Sequence, residues 1–231
     1  MTFVQVIDCR TSRVDELNRL MDTWVASTQG KRTATHSVVG RDRGDSTHIV
    51  EIVEFPSYEE AKRNSDLPET ERIFEEMVAL CDDVPRFTDL DVVRDEQLNK
   101  ATARSFFEEI SKGNPHPLEG LCTPGYLDHD PGNDGPEPLG KAETEAVAAR
   151  YVGAISPTFL IDDQVAEGDM VTTRWTVTGT HDGEFMGLPA TGRPVRITGQ
   201  TTHRFDHGLI AEAWWNWDQF GLLSQIGLVE L

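Results

Sequence analysis

The sequence predicts an α+β protein built as two domains, residues 1–95 and 96–231. Three observations predict it. In the first domain short β runs and helical stripes follow one another in the order β-α-β-β-α-β. In the second, helices come first and four β runs follow, the segregated order of an α+β arrangement. Near the end of the chain, Pro194–Phe205 and Leu209–Trp217 flank Asp206-His207-Gly208, the turn chemistry of a β-hairpin.

The first domain opens with a β run, Phe3–Ile7. Val14, Leu17, Leu20, Met21, Trp24 and Val25 then recur at helical spacing, and Gly30 ends that helix. Thr35–Val39 and His48–Phe55 are β-rich and joined by a polar loop at residues 40–45. Ser57 and Glu60 form a capping box for the next helix, and Pro68 interrupts it and starts another, Glu69–Cys81. A last β run lies around Leu90–Arg94. This element order is the ferredoxin-like pattern. His36, His48 and Asn64 read first as structural residues of that scaffold.

In the second domain an amphipathic helix runs from about Glu96 to Lys112, with Leu98, Thr102, Phe106 and Ile110 in one row. Pro and Gly punctuate residues 115–140, which predicts mostly loop. A helix from Lys141 to Ala154 turns Ala142, Val147, Ala148 and Tyr151 inward. Phe159–Glu167, Met170–Gly179, Pro194–Phe205 and Leu209–Trp217 are the strands. On the last of these Ala211, Ala213, Trp215 and Trp217 share a face, so two small residues are followed by two indoles. Asp218 ends the strand and begins a short helix, Gln219–Ile226.

Several words of the second domain carry a resemblance. They are Tyr126-Leu127-Asp128-His129-Asp130-Pro131, residues 179–187 (GTHDGEFMG), Gly192-Arg193-Pro194-Val195, H-R-F-x-x-G-x-I-x-E-x-W at residues 203–214, and W-D-x-x-G-L-L-x-Q-x-G at residues 217–227. Over residues 97–231 the chain resembles the SnoaL-like polyketide cyclases, also called ester cyclases. That resemblance implies the nuclear transport factor 2-like cone, a curved antiparallel sheet closed by helices around a deep pocket. It also implies a catalytic Asp directly after the tryptophan of the E-x-W word and a pocket His near position 201, where this chain has Trp215 and Thr201. The first domain, through residues 54–61 (EFPSYEEA) with Asn64-Ser65 and Leu67-Pro68-Glu69-Thr70, resembles the dimeric α+β barrel group that includes antibiotic-biosynthesis monooxygenase-like domains. This second resemblance implies a homodimer, or packing on the second domain.

Composition excludes several classes. A hydrophobic fraction of 38% with five tryptophans argues against disorder. Forty acidic against 21 basic residues give a net charge of −19, a field that repels nucleic-acid backbones and anionic membranes. Cys9, Cys81 and Cys122 are odd in number, widely spaced and free of C-x-x-C, which suits a reducing compartment. The N-terminus shows no leader pattern and no stretch is long and apolar enough to span a bilayer, so the expected location is cytoplasmic. Metal, phosphate-binding and nucleophile-elbow motifs are missing, and the expectation is an activity without cofactor or metal.

Candidate chemistry centres on carboxylates and imidazoles. Asp218, beside Trp215 and Trp217, has the desolvated setting that a base removing a proton next to a carbonyl needs; its alternative role is a helix cap. Asp130 is the second candidate base, with neighbouring His129 or His181 as partner for an oxyanion. Trp175, Gln200, Thr201, His203, Trp215, Trp217, Tyr126 and Phe185 are the expected substrate-binding set, with the indoles placed to stack a planar polycycle. The leading expectation is a cofactor-independent cyclase that closes a ring by aldol chemistry on a small hydrophobic aromatic carbonyl compound. A non-catalytic binding protein on the same fold, or a hydroxylase or epoxide hydrolase-like activity, is the alternative.

Overall fold

The computed structural model of the protein describes residues 2–93, 97–133 and 135–229. The chain divides into two compact units, Met1–Asp95 and Glu96–Leu231. Among the described residues they hold six helices and nine strands in two sheets.

The first unit runs β1 (Phe3–Arg10), α1 (Val14–Ser27), β2 (His36–Arg41), β3 (His48–Phe55), α2 (Tyr58–Ser65), α3 (Pro68–Leu80) and β4 (Arg86–Asp91). Its sheet is antiparallel in the order β2-β3-β1-β4. Side chains alternate across the pleat, so Cys9 and Ile49 turn inward with Leu17 and Leu20 of α1 and Ile73 and Met77 of α3 to form one core. The Ser57 hydroxyl accepts the Glu60 amide at 3.3 Å, as the capping box predicts, and Pro68 stands at the start of α3. The last strand begins earlier than the sequence suggests. Register decides it: Phe3 pairs with Asp91 and Asp8 with Arg86, so β1 draws the charged run Arg86–Asp91 into the sheet. Arg94 and Glu96, expected at an element end and an element start, lie outside the described residues.

The second unit runs α4 (Leu98–Ser111), β5 (Cys122–Asp128), α5 (Lys141–Ile155), β6 (Thr158–Glu167), β7 (Met170–Thr180), β8 (Pro194–Asp206), β9 (Leu209–Trp217) and α6 (Gln219–Ile226). The sheet order is β5-β9-β8-β7-β6. Strands β6 to β9 pair antiparallel, whereas β5 lies parallel to β9. This corrects the expectation of loop through residues 115–140 and of a wholly antiparallel sheet. Pro124 and Gly125 mask β5 in the sequence; pairing with the edge of β9 makes it a strand, with a register shift between Cys122 and Leu127. Further register shifts at Ile161/Asp163 and Arg204/Phe205 bend the sheet.

The hairpin forms as its turn residues predict. His207 and Gly208 both take positive φ, 49° and 82°, which matches a two-residue turn to the strand twist. Cross-strand rows then line the inner face. Trp175, Gly199 and Trp217 form one row, Thr173, Thr201 and Trp215 the next, and Val171, His203 and Ala213 a third. Helix α4 supplies Phe106, Phe107 and Ile110 against this face.

Gly199 is the tight point. A Cβ there would stand 2.5 Å from the Trp175 ring and 2.6 Å from Trp217 Cβ. Gly199→Ala is therefore expected to lower unfolding free energy by roughly 1–3 kcal/mol through overpacking. Urea titration followed by tryptophan fluorescence measures this; an unchanged midpoint would show that the indoles move aside freely.

Candidate active site

The inner face of the second sheet and helices α4 and α5 enclose an aromatic pocket of about 700 Å³, counted out to its mouth. Phe106 and Ile110 of α4, Thr144, Val147, Ala148 and Tyr151 of α5, and Trp175, Trp215 and Trp217 of the sheet make most of its wall. Two carboxylates, Asp128 and Asp130, stand in this otherwise apolar lining beside Asn133.

Each carboxylate is held by an indole. Trp215 Nε1 donates to Asp128 Oδ2 at 3.0 Å, and Trp217 Nε1 donates to Asp130 at 3.1 Å. Asp128 is only 3% exposed and takes three more hydrogen bonds: from the Tyr126 hydroxyl at 2.9 Å, the Asp130 amide at 3.0 Å and Asn133 Nδ2 at 3.1 Å. Asp130 takes the Gly132 amide at 2.8 Å besides Trp217. Burial raises the Asp130 pKa above its ordinary value, opposed by the bonds from Gly132 and Trp217 and aided by the charge of Asp128. Burial also raises the Tyr126 phenol well above its usual range, so it remains a donor to Asp128.

The pair arises from strand geometry. Asp128 ends β5 beside Ala213, and the chain turns at residues 129–133, where the Asp130 carboxylate accepts an amide two residues on. Trp215 and Trp217, two residues apart on β9, point to the same face and meet the two carboxylates in turn. Thr144 adds a third polar group. Its hydroxyl is buried, lines the pocket and has no hydrogen-bond partner among the described residues.

The structure distributes the other expected residues differently. Asp218 is corrected from base to helix cap: its Oδ1 accepts the Gly221 amide at 2.8 Å, and it shares a shallow surface depression with Gln200 and Asn216. Gln200 pairs with Asn216 and faces away from the aromatic pocket, by strand alternation. His129 is corrected likewise. Its ring stacks on Trp214 at 4.9 Å, and its Nε2 meets Glu212 Oε2 at 2.9 Å, on the opposite side of β9 from the pocket residues. Glu212 also accepts Arg204 Nε at 3.0 Å, so the Arg and Glu of the H-R-F and E-x-W words form an outer ion network. The hydrogen bond from Arg204 depresses the Glu212 pKa.

His181 is fully buried, its Nδ1 engaged by the Thr191 hydroxyl at 2.9 Å and the Thr191 amide at 3.3 Å. It orders the turn before β8 and does not line the pocket. Thr201 accepts the Trp175 indole at 2.9 Å and so holds a wall residue in place. Phe185 packs on Tyr151 at 5.1 Å, behind the wall. Trp175, Trp215 and Trp217 line the pocket, while the Tyr126 hydroxyl donates to Asp128. Sequence reading passed over Asn133 and Thr144: one sits in a turn without periodicity, the other is a small polar residue on a helix read for its apolar stripe.

His203 lies deeper, 1% exposed, in edge and tilted contact with Phe106 and Phe107 at 5.5 and 5.8 Å. Neither ring nitrogen has a partner among the described residues. Desolvation pushes its pKa down to about 3, so the ring is neutral in the fold.

The helices over a curved, mostly antiparallel sheet form the cone of the nuclear transport factor 2-like fold. The sequence profile of the SnoaL-like polyketide cyclases matches residues 101–226. The chain belongs to that family. IdmH, a candidate polyketide cyclase from Streptomyces antibioticus, is 31% identical over 57% of this chain and 99% of its own, with a TM-score of 0.52. A candidate polyketide cyclase from Acidithiobacillus ferrooxidans is 26% identical over 59% of this chain and 97% of its own, with a TM-score of 0.52. AclR, a candidate hydroxylase from Streptomyces galilaeus, is 24% identical over 58% and 83% at a TM-score of 0.52, a likeness of fold alone. No curated protein matches in sequence. Among the described residues no helix is long and apolar enough to cross a membrane.

The His203 environment predicts a pH effect. Its folded pKa lies below the ordinary 6.5, so stability is full above that pH and is lost as pH falls from 6.5 toward 3. The loss at the acid end is on the order of 3–5 kcal/mol. His203→Phe is expected to remove most of it, read from urea midpoints across the acid range. Parallel pH profiles for the two proteins would refute a buried neutral imidazole.

Proposed function

We propose that the second unit is a cofactor-independent cyclase that closes a ring by aldol chemistry on a small, hydrophobic, aromatic carbonyl compound. The observation that carries this reading is Asp130, a pocket carboxylate made more basic by burial and steered by the Trp217 indole. In this reading Asp130 takes a proton from the carbon next to a carbonyl. The charge that develops on the carbonyl oxygen is met by the Thr144 hydroxyl, a buried donor otherwise unpartnered among the described residues. The enolate carbon attacks a second carbonyl of the same molecule, a carbon–carbon bond forms, and the new alkoxide recovers the proton from Asp130. Asp128 remains the anchored carboxylate that holds Tyr126 and Trp215. The indoles and phenyl rings supply stacking surface for a planar substrate.

One observation favours the alternative of a binding protein. The position after the E-x-W tryptophan, where the resemblance implies a catalytic Asp, holds Trp215, and its indole is committed to Asp128. The two readings part at Asp130.

We also read the first unit as a ferredoxin-like domain of the dimeric α+β barrel type. Its element order and the strand order β2-β3-β1-β4 support this. The sheet face turned away from the helices presents Val38, Ile52 and Leu90, each more than 40% exposed, which supports pairing with a second copy.

Asp130→Asn keeps the shape and removes the base. The expected result is a loss of turnover of about 10²–10⁴-fold with ligand affinity nearly unchanged. Wild-type kcat/KM is expected to rise with pH on an acid limb lying above the ordinary Asp value of about 3.9, and the variant to lack that limb. Because the folded pKa of Asp130 is raised, ionisation costs stability at neutral pH. Asp130→Asn is thus expected to match wild type below the ordinary pKa and exceed it at neutral pH. Full turnover in Asp130→Asn, on a panel of anthraquinone-type keto esters, would end the cyclase assignment to this residue. For the first unit, light scattering is expected to give a dimer that Ile52→Glu converts to monomer; a monomeric wild type would refute the pairing.

A further inference from the structure

The first unit has a cavity of its own on the helix-facing side of its sheet. It is an open cleft of about 1260 Å³, the solvent at its mouth included, between the sheet and the three helices. Its walls are aromatic and soft: Trp24, Phe74 and Phe87, with Met21 and Met77. The Trp24 indole is fixed by donation to Thr70 Oγ1 at 3.1 Å, and Phe74 meets Phe87 edge to face at 5.5 Å. Phe74 and Phe87 stand at its open side, 37% and 41% exposed.

The charged groups around it share one sign. Glu51, Asp66 and Glu71 line the cavity, and no Lys, Arg or His does so among the described residues. Glu51 stands on β3 among the inward-facing residues. Its Oε1 accepts the Ser37 hydroxyl at 2.7 Å, and its other oxygen takes no hydrogen bond from a described residue. Burial raises its pKa, the sign of a carboxyl group short of donors. Asn64, only 5% exposed, is the second group turned to this space. Its Oδ1 accepts the Thr33 amide at 3.2 Å, which leaves Nδ2 without a partner among the described residues.

We propose that this cavity binds an organic cation with an aromatic body, the ring system lying among Trp24, Phe74 and Phe87 and the ammonium facing Glu51. Aromatic faces attract cations through the ring quadrupole, and the attraction grows as water is excluded. A carboxylate with an unmet oxygen supplies the counter-charge. Asn64 Nδ2 supplies one donor for an acceptor on the ligand. Anionic ligands meet three carboxyl groups and the field of a chain of net charge −19. The aromatic pocket of the second unit differs in the decisive respect: both of its carboxylates already have indole donors.

The test uses the full chain with its indole nitrogens labelled. Trp24 is the single tryptophan of residues 1–95, so its indole N–H resonance, assigned by Trp24→Phe, reports this cavity alone. The probes are 2-naphthylmethylamine, 2-naphthylmethanol and 2-naphthoate at neutral pH. The amine is expected to move the Trp24 resonance saturably, the alcohol to bind roughly tenfold more weakly, the worth of one partly desolvated cation–ring contact, and the naphthoate to leave it still. Glu51→Gln, an isosteric change, is expected to bring the amine down to the alcohol's affinity; Met77→Trp is expected to block both. Equal affinity for amine and alcohol, or amine binding indifferent to Glu51→Gln, would overturn the proposal. So would amine shifts confined to the tryptophans of the second unit, a result that leaves the cyclase reading standing.

Discussion

Two carboxylates inside an aromatic pocket are unstable neighbours for indole rings unless their lone pairs find donors, and the second unit is arranged around meeting that demand. Trp215 and Trp217 point the same way because they stand two residues apart on one strand, and their N–H groups are spaced to meet Asp128 and Asp130. The demand reaches further than the contacts. β5 must lie beside β9 to bring Asp128 to Trp215, which gives the sheet a parallel pair. Gly199 must lack a side chain so that Trp175 and Trp217 can close over it from the two neighbouring strands. Thr201 holds Trp175, and Tyr126 completes the shell of Asp128.

The same arithmetic separates the two carboxylates. Asp128 collects four donors and is a fixed element of the wall. Asp130 collects fewer and is raised in basicity by burial, which is why the proposed proton transfer falls to it. Two like groups, two residues apart in the chain, thereby differ in the donors they collect, and burial sets the direction of the Asp130 shift. The imidazoles stand outside this division. His129 joins Arg204 and Glu212 on the outer side of β9, His181 orders a turn, and His203 is a neutral core residue among phenyl rings.

Much of this was readable along the chain and some was not. Element types followed from periodicity and caps; β3, β9 and α6 have the predicted bounds, and the turn at residues 207–208 has the predicted backbone. Alternation puts Trp215 and Trp217 on one face of β9, and the resemblance supplied the pocket that this face lines. Asp218 and its neighbours show the limit. A carboxylate after two indoles satisfies the pattern of a desolvated base and of a helix cap equally, and only the Gly221 amide at 2.8 Å decides for the cap. Asp128 shows it from the other side, since four donors arriving from Tyr126, Asp130, Asn133 and Trp215 are distributed over 90 residues of chain.

By itself the sequence determined the α+β class, the two-part organisation, the faces of the strands and the family of the second part, because each rests on local periodicity or on words read in order. The tertiary structure decided which carboxylates share a pocket, that β5 is a strand at all, and that Cys9 and Cys81, far apart in sequence, meet in one core. The physical reason is common to these cases. Burial, desolvation and hydrogen-bond supply at a residue depend on what the rest of the chain brings within a few ångströms of it, and the spacing of residues along the chain does not contain that information.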